Sequence, residues 1–249
     1  MENNNEYFSH NTHGYMYCSD GNFSEHIFSL IKKILPDDVK NYANAFELGA
    51  GMGRFSFALV NHFPKVWLVE PSEPYAVTIE KLFQGSGKGS NDKAGGTVTV
   101  VHSTMEEFLK EHEVPEKSIV FCFHLLHHLS YGQRSDLFTC LAKTGAPAVF
   151  IEPNPWNPLI ILQLIFYKDM RMRDEFQYLT FTKKKLAREF NRSGLELVTH
   201  DRLCFLPPPL TMAALKLASL KKPLLFFEKF RRLFPMLGSY QLFYCRSKK

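Results

Sequence analysis

The chain has 249 residues, 45% hydrophobic and 22% charged, which is ordinary for a globular protein with a substantial core and excludes collagen, a wholly disordered chain and a small disulfide scaffold. No apolar run reaches the roughly 20 residues that a spanning helix needs. The net charge is +5, but residues 205–249 alone carry +8, nine Lys and Arg against the single acid Glu228, an asymmetry that a uniform nucleic-acid-binding surface would not show.

Residues 1–22 are rich in Asn, His, Tyr and Gly and read as a mobile segment or a flap over a site. The opening Met1-Glu2-Asn3-Asn4-Asn5 lacks the basic-then-apolar order of a signal peptide, so a cytoplasmic address is the expectation. Ile27, Phe28, Ile31, Ile34 and Leu35 recur at helical spacing and predict a helix over 23–35, stopped at Pro36. From there strand-like and helix-like periods alternate. Strands are expected over 43–48, 66–70, 97–102, 118–123 and 146–152, with helices over 55–62, 75–84, 105–112 and 133–143.

The stretch Gly85-Ser86-Gly87-Lys88-Gly89 lacks the spacing of a phosphate-binding P-loop and reads as a solvent loop. A helix over 182–193 closed by Gly194, a strand over 195–203 and a terminal strand over 240–245 complete the pattern. Short apolar strands separated by helices imply parallel pairing with right-handed crossovers, hence an α/β, doubly wound, Rossmann-like sheet. Ligands of such sheets sit at the carboxyl ends of the strands, near the switch in strand order. Cys18, Cys122, Cys140, Cys204 and Cys245 are odd in number and contain no C-x-x-C, so reduced and mostly buried thiols are the simplest reading.

The most informative segment is Glu47-Leu48-Gly49-Ala50-Gly51-Met52-Gly53-Arg54, at the first strand-to-helix turn. A dinucleotide fingerprint G-x-G-x-x-G would need glycine at 54 or at 56, where Arg54 and Ser56 stand. An acid followed by three alternating glycines is matched in full. Glu70 ends the second strand, where a carboxylate can accept both hydroxyls of a ribose. Here the chain resembles the class I S-adenosylmethionine-dependent methyltransferases, over roughly residues 43–194 with a closing strand at the C-terminus.

That resemblance implies a seven-stranded sheet, mostly parallel with an antiparallel last strand, and S-adenosylmethionine as methyl donor. It assigns the donor site to Glu47, Gly49, Ala50, Gly51 and Gly53, to Glu70 on the ribose and to Pro71 beside the adenine. Ser103 stands where the family usually has an aspartate on the adenine amino group, leaving the Ser103 hydroxyl or the Thr104 backbone for that contact. The backbone at Phe123 or His124 would hold the methionine amino group.

His124, His127 and His128 follow the fourth strand, and three accounts of them stay open. They are structural residues opening a helix, or His124 or His127 is a general base. Alternatively they hold a metal, as some methyltransferases do through E-x-x-E-H, in place of which this chain has H-x-x-H-H. Glu152-Pro153-Asn154-Pro155 resembles an E-P-N-P stretch of a bacterial branch of small-molecule methyltransferases, and the chain as a whole resembles the ubiquinone- and menaquinone-methyltransferase-like branch. Trp156 just beyond it is expected either to line an acceptor pocket or to pack in the core.

The expected organisation is a mobile segment 1–22, a donor-binding core 23–204, a basic helical cap 205–238 and a closing strand 239–249. Phe226, Phe227, Phe230, Leu233 and Phe234 fall on one helical face of the cap. Five such side chains are worth on the order of 8–15 kcal/mol when buried. The cap is therefore expected to cover the acceptor pocket and to bury Phe226, Phe230 and Phe234, with Lys229 and Arg232 at its edge. A basic amphipathic helix of this kind can also rest on an anionic membrane. The expected activity is methyl transfer to a small, apolar or lipid-like acceptor at oxygen, with no nucleic-acid partner and no resident metal. The alternatives are a protein or RNA methyltransferase, or a non-catalytic partner protein of the same fold.

Overall fold

The computed structural model describes residues 21–84, 96–159, 161–162 and 179–248. The expected N-terminal segment up to residue 20, Cys18 and the loop around Gly87 lie outside the described residues. The described residues begin with helix α1 (Gly21–Lys32), followed by strand β1 (Asn44–Leu48), α2 (Ser56–His62), β2 (Lys65–Glu70) and α3 (Glu73–Gln84). Then come β3 (Thr97–His102), α4 (Met105–Glu111), β4 (Ser118–Phe123), α5 (Tyr131–Thr144) and β5 (Ala148–Pro153). The last third holds α6 (Lys183–Arg192), β6 (Leu195–Leu203), the cap helices α7 (Pro208–Lys216) and α8 (Lys221–Phe227), and β7 (Tyr240–Ser247).

All seven strands form one sheet in the order β3-β2-β1-β4-β5-β7-β6. β1 to β5 pair in parallel, and β7 runs antiparallel to both β5 and β6. β1 and β4 are buried at every position, because helices cover both faces of a parallel sheet; β4 is accordingly apolar from Ile119 to Phe123, whereas β1 also encloses Asn44 and Glu47. β3, at the edge, shows partial exposure along its length.

Phe23, Ile27 and Ile31 of α1, Leu59 of α2, Ile79 of α3 and Met212 of α7 pack on one face. Phe108 of α4, Leu137, Phe138 and Leu141 of α5, and Leu186 and Phe190 of α6 pack on the other. Helix ends carry local signals. Ser130 and Gln133 form a capping box at α5, and Gly145 ends that helix at φ +72°. The buried Arg134 binds both oxygens of Glu189, at 2.8 and 3.2 Å, and so fixes α5 against α6.

The register places Tyr240, the first residue of β7, beside Pro153 at the end of β5 and Leu203 at the end of β6. The cap therefore leaves and re-enters the sheet at the carboxyl ends of the parallel strands. Asn154 and Asn157, both fully buried, secure its return. Asn154 Nδ2 donates to the carbonyls of Pro235 (3.1 Å) and Gly238 (2.7 Å), and Asn157 Nδ2 donates to Leu237 (3.0 Å).

One expectation about this region is overturned. Phe226 and Phe234 are 55% and 54% exposed instead of buried. The segment is a series of short helical pieces, in which α8 stops at Phe227 and a 3-10 turn follows over Glu228–Arg232. The inward side is set by Leu224 and Glu228, each 2% exposed and one helical turn apart. Glu228 accepts the Phe205 N–H at 3.0 Å and lies 3.5 Å from His26 of α1, an anchor that turns Phe226 away from the core. Trp156 is also 54% exposed, so it is not a packed core tryptophan.

Candidate functional site

The order β2-β1-β4-β5 puts the switch in strand order between β1 and β4, with the predicted site residues around it. Gly49, Gly51 and Gly53 all adopt left-handed backbone, with φ of +71°, +57° and +78°. The turn they make is pinned to β2. Gly49 and Ala50 donate their N–H groups to the Val69 carbonyl, at 2.9 and 3.1 Å. A Cβ at Gly49 would come within 2.7 Å of Leu125 Cδ1, whereas one at Gly51 would meet nothing within 4 Å. Gly51 thus borders open space on the ligand side of the sheet.

Glu70 faces this turn. Its carboxylate accepts the Gly51 N–H at 2.7 Å and the Ser72 N–H at 2.9 Å, and burial holds its pKa above the usual carboxylate value. Each oxygen keeps a further lone pair for a ligand hydroxyl. Glu47 is fully enclosed. Burial pushes it up to about 8, with a 2.5 Å hydrogen bond from Ser56 Oγ opposing the shift and the nearby Glu70 adding to it. Glu47 therefore supports the turn through α2. Pro71 is exposed at the end of β2, and its carbonyl lies 3.0 Å from His102 Nε2. Thr104 caps α4 in a capping box with Glu107, its hydroxyl and N–H both engaged by that carboxylate, and the Ser103 hydroxyl donates to the Thr104 carbonyl at 3.1 Å.

The histidines separate. Phe123 stacks on Phe55, and the chain turns at His124 with φ +53°. His124 packs against Tyr240 (4.8 Å between ring centroids) and Phe55 (5.6 Å). Its Nε2 is enclosed without a hydrogen-bond partner among the described residues, and burial, reinforced by Arg54, drives its pKa well below 6.5. It is a neutral imidazole with an orphaned nitrogen. Leu126–His128 form a 3-10 turn ahead of α5, whose cap is Ser130, so His127 and His128 do not open that helix. His127 is 4% exposed and its Nδ1 lies 2.6 Å from Glu152 Oε2, while Glu152 Oε1 accepts the Leu126 N–H at 2.7 Å. Burial pushes Glu152 up to about 8, opposed chiefly by the Leu126 N–H bond. No group of three or more metal-ligating side chains converges among the described residues.

Sequence reasoning missed two participants. Arg54 follows the last glycine of the turn, and its guanidinium lies 5.1 and 5.4 Å from the Phe23 and Phe55 ring centroids. It pairs with no carboxylate among the described residues, and its Nε lacks a partner. Its place inside the motif was the available signal. Glu152 drew notice only for its neighbours Pro153 and Asn154. Its contact with His127 follows from β4 lying beside β5, with Phe123 opposite Ile151.

Neither a protein-family model nor a curated protein matches the sequence. Solved structures do resemble it. A methyltransferase from Leishmania major described as S-adenosylmethionine-dependent aligns with a TM-score of 0.59 and 15% identity over 97% of this chain and 81% of that one. An S-adenosylmethionine-dependent methyltransferase from Archaeoglobus fulgidus aligns at 0.57 and 16%, covering 90% of this chain and 92% of that one. Magnesium protoporphyrin IX methyltransferase from Synechocystis, solved with bound S-adenosylmethionine, aligns at 0.58 and 11%, covering 98% and 95%. The chain has the fold of the S-adenosylmethionine-dependent methyltransferases.

Proposed function

We propose that the chain transfers a methyl group from S-adenosylmethionine to an oxygen of a small, apolar or lipid-like acceptor, in the manner of the ubiquinone- and menaquinone-methyltransferase-like branch. The observation that carries the reading is the turn of three left-handed glycines closed by the Glu70 carboxylate, with open space at Gly51. Glu70 would accept the ribose hydroxyls, and Gly49, Ala50, Gly51 and Gly53 would cradle the methionyl part. Pro71, Ser103 and Thr104 would border the adenine, and the Phe123 carbonyl would take the amino group. Arg54, a cation without a carboxylate partner beside this turn, would meet the donor's carboxylate.

When bound, the donor supplies a sulfonium methyl already activated for displacement. The protein's own work is then to position the acceptor and to exclude water. His127, with Nδ1–H held by Glu152, has Nε2 as its basic nitrogen and would take the acceptor hydroxyl proton. His124, neutral at pH 7, would accept a hydrogen bond at Nε2 and orient the acceptor. The small-molecule reading is supported by the E-P-N-P stretch and by a neighbour of the same fold whose name gives a porphyrin substrate.

Calorimetry on folded protein tests the reading. Both S-adenosylmethionine and its demethylated product are expected to bind, and absence of binding by either would remove it.

A further inference from the structure

The outer surface of the cap plays no part in the donor site. Leu225, Phe226, Phe227, Leu233, Phe234 and Met236 lie there between 43% and 70% exposed. Trp156 and Leu159, which leave β5 beside them, are exposed as well. The two stretches are held together by Asn154 and Asn157, whose side-chain amides bind the carbonyls of residues 235, 237 and 238. Monomeric proteins rarely leave so many large apolar side chains together in water without a partner for them.

The charge of this surface says which partner. Its single acid, Glu228, is 2% exposed and turned toward α1. Lys216, Lys222 and Lys229 stand in solvent. We infer that the cap docks on an anionic lipid bilayer. Its apolar side chains enter the headgroup region and its lysines meet the lipid charge. A second copy of this chain would bring two uncompensated positive surfaces together, which disfavours it. A nucleic acid would satisfy the lysines but leave Leu225, Leu233 and Met236 in water. This docking does not depend on the methyl-transfer reading.

Co-sedimentation of the full chain with vesicles of phosphatidylcholine alone, and of phosphatidylcholine with phosphatidylglycerol, tests it. Binding is expected only to the anionic vesicles and is expected to weaken with salt. The double variant Phe226→Ser, Phe234→Ser and the double variant Lys222→Glu, Lys229→Glu should each lower that binding at least tenfold, with unchanged circular dichroism and unchanged donor binding. These side chains are exposed, so folding should survive the changes. Absence of binding to anionic vesicles, or equal binding to both vesicle types, would overturn the inference. So would a dimer in sedimentation equilibrium that the Phe226→Ser, Phe234→Ser variant dissociates, or retention of the chain by single-stranded RNA in place of vesicles.

Discussion

His127 and Glu152, which are 25 residues apart in sequence, meet at 2.6 Å with both side chains buried, so the imidazole is fixed at Nδ1 by a carboxylate at the end of the neighbouring strand. A histidine held this way has its tautomer and orientation set before any acceptor arrives. Replacing His127 with Ala should lower turnover by about 10²–10⁴-fold, the usual range for a general base, while donor affinity stays nearly unchanged. Glu152→Gln should lower turnover by a smaller factor and shift the acid limb of the pH–rate profile. Full activity in both variants would make the pair a strand tether only.

Glu70 accepts two backbone N–H groups from the turns that border the proposed ribose position. Glu70→Ala should weaken binding of the donor and of its product by about 1–3 kcal/mol, or about 5- to 150-fold, as titration calorimetry would read. An unchanged dissociation constant would place the ribose elsewhere.

Gly49→Ala puts a Cβ 2.7 Å from Leu125 Cδ1 and forces an L side chain to φ +71°. A loss of about 1–3 kcal/mol in stability is expected, together with a weaker donor site. Gly51→Ala shares the left-handed strain at φ +57° but meets no atom within 4 Å, so it should cost less stability than Gly49→Ala and weaken donor binding more, through the space the ligand would occupy. Equal stability and equal affinity for both variants would contradict this division.

Glu47 keeps its proton to about pH 8 in the folded chain, against an ordinary value of 4.5. Between these values the unfolded chain has lost a proton that the folded chain still holds. Stability therefore falls as pH rises through this window. Glu47→Gln keeps the neutral shape and should make the fall between pH 5 and pH 8 shallower by on the order of 1–3 kcal/mol. Urea unfolding of ligand-free protein at the two pH values measures this, and an equal fall in the variant would show that Glu47 is ionised in the folded state.

Asn154 is fully buried and its amide holds the carbonyls of Pro235 and Gly238. Asn154→Ala removes the amide donor to Pro235 and one of the two to Gly238, which keeps Asn157 Nδ2 at 3.2 Å, and should cost about 1–3 kcal/mol in thermal or urea unfolding, with donor binding retained. Loss of donor binding with stability intact would instead place Asn154 in the donor site.

The repeated switch between strand and helix periods was enough to read the doubly wound sheet, because a strand covered on both faces is buried along its whole length, as β1 and β4 are, and so favours short apolar runs such as residues 119–123. The glycine turn and Glu70 were legible for a related reason: a left-handed turn next to a ligand admits few residue types, so chemistry and spacing coincide in a short segment. The partner of His127 was not legible, since it depends on which strands become neighbours. Nor was the inward side of the cap. Helical spacing placed five apolar side chains on one face, but the buried anchor of Glu228 on Phe205 and His26 turned Phe226 and Phe234 outward. Local sequence determines where elements begin and which residues can turn. The burial of a charged group among distant partners is a tertiary event, and here it decided which face of the cap meets water.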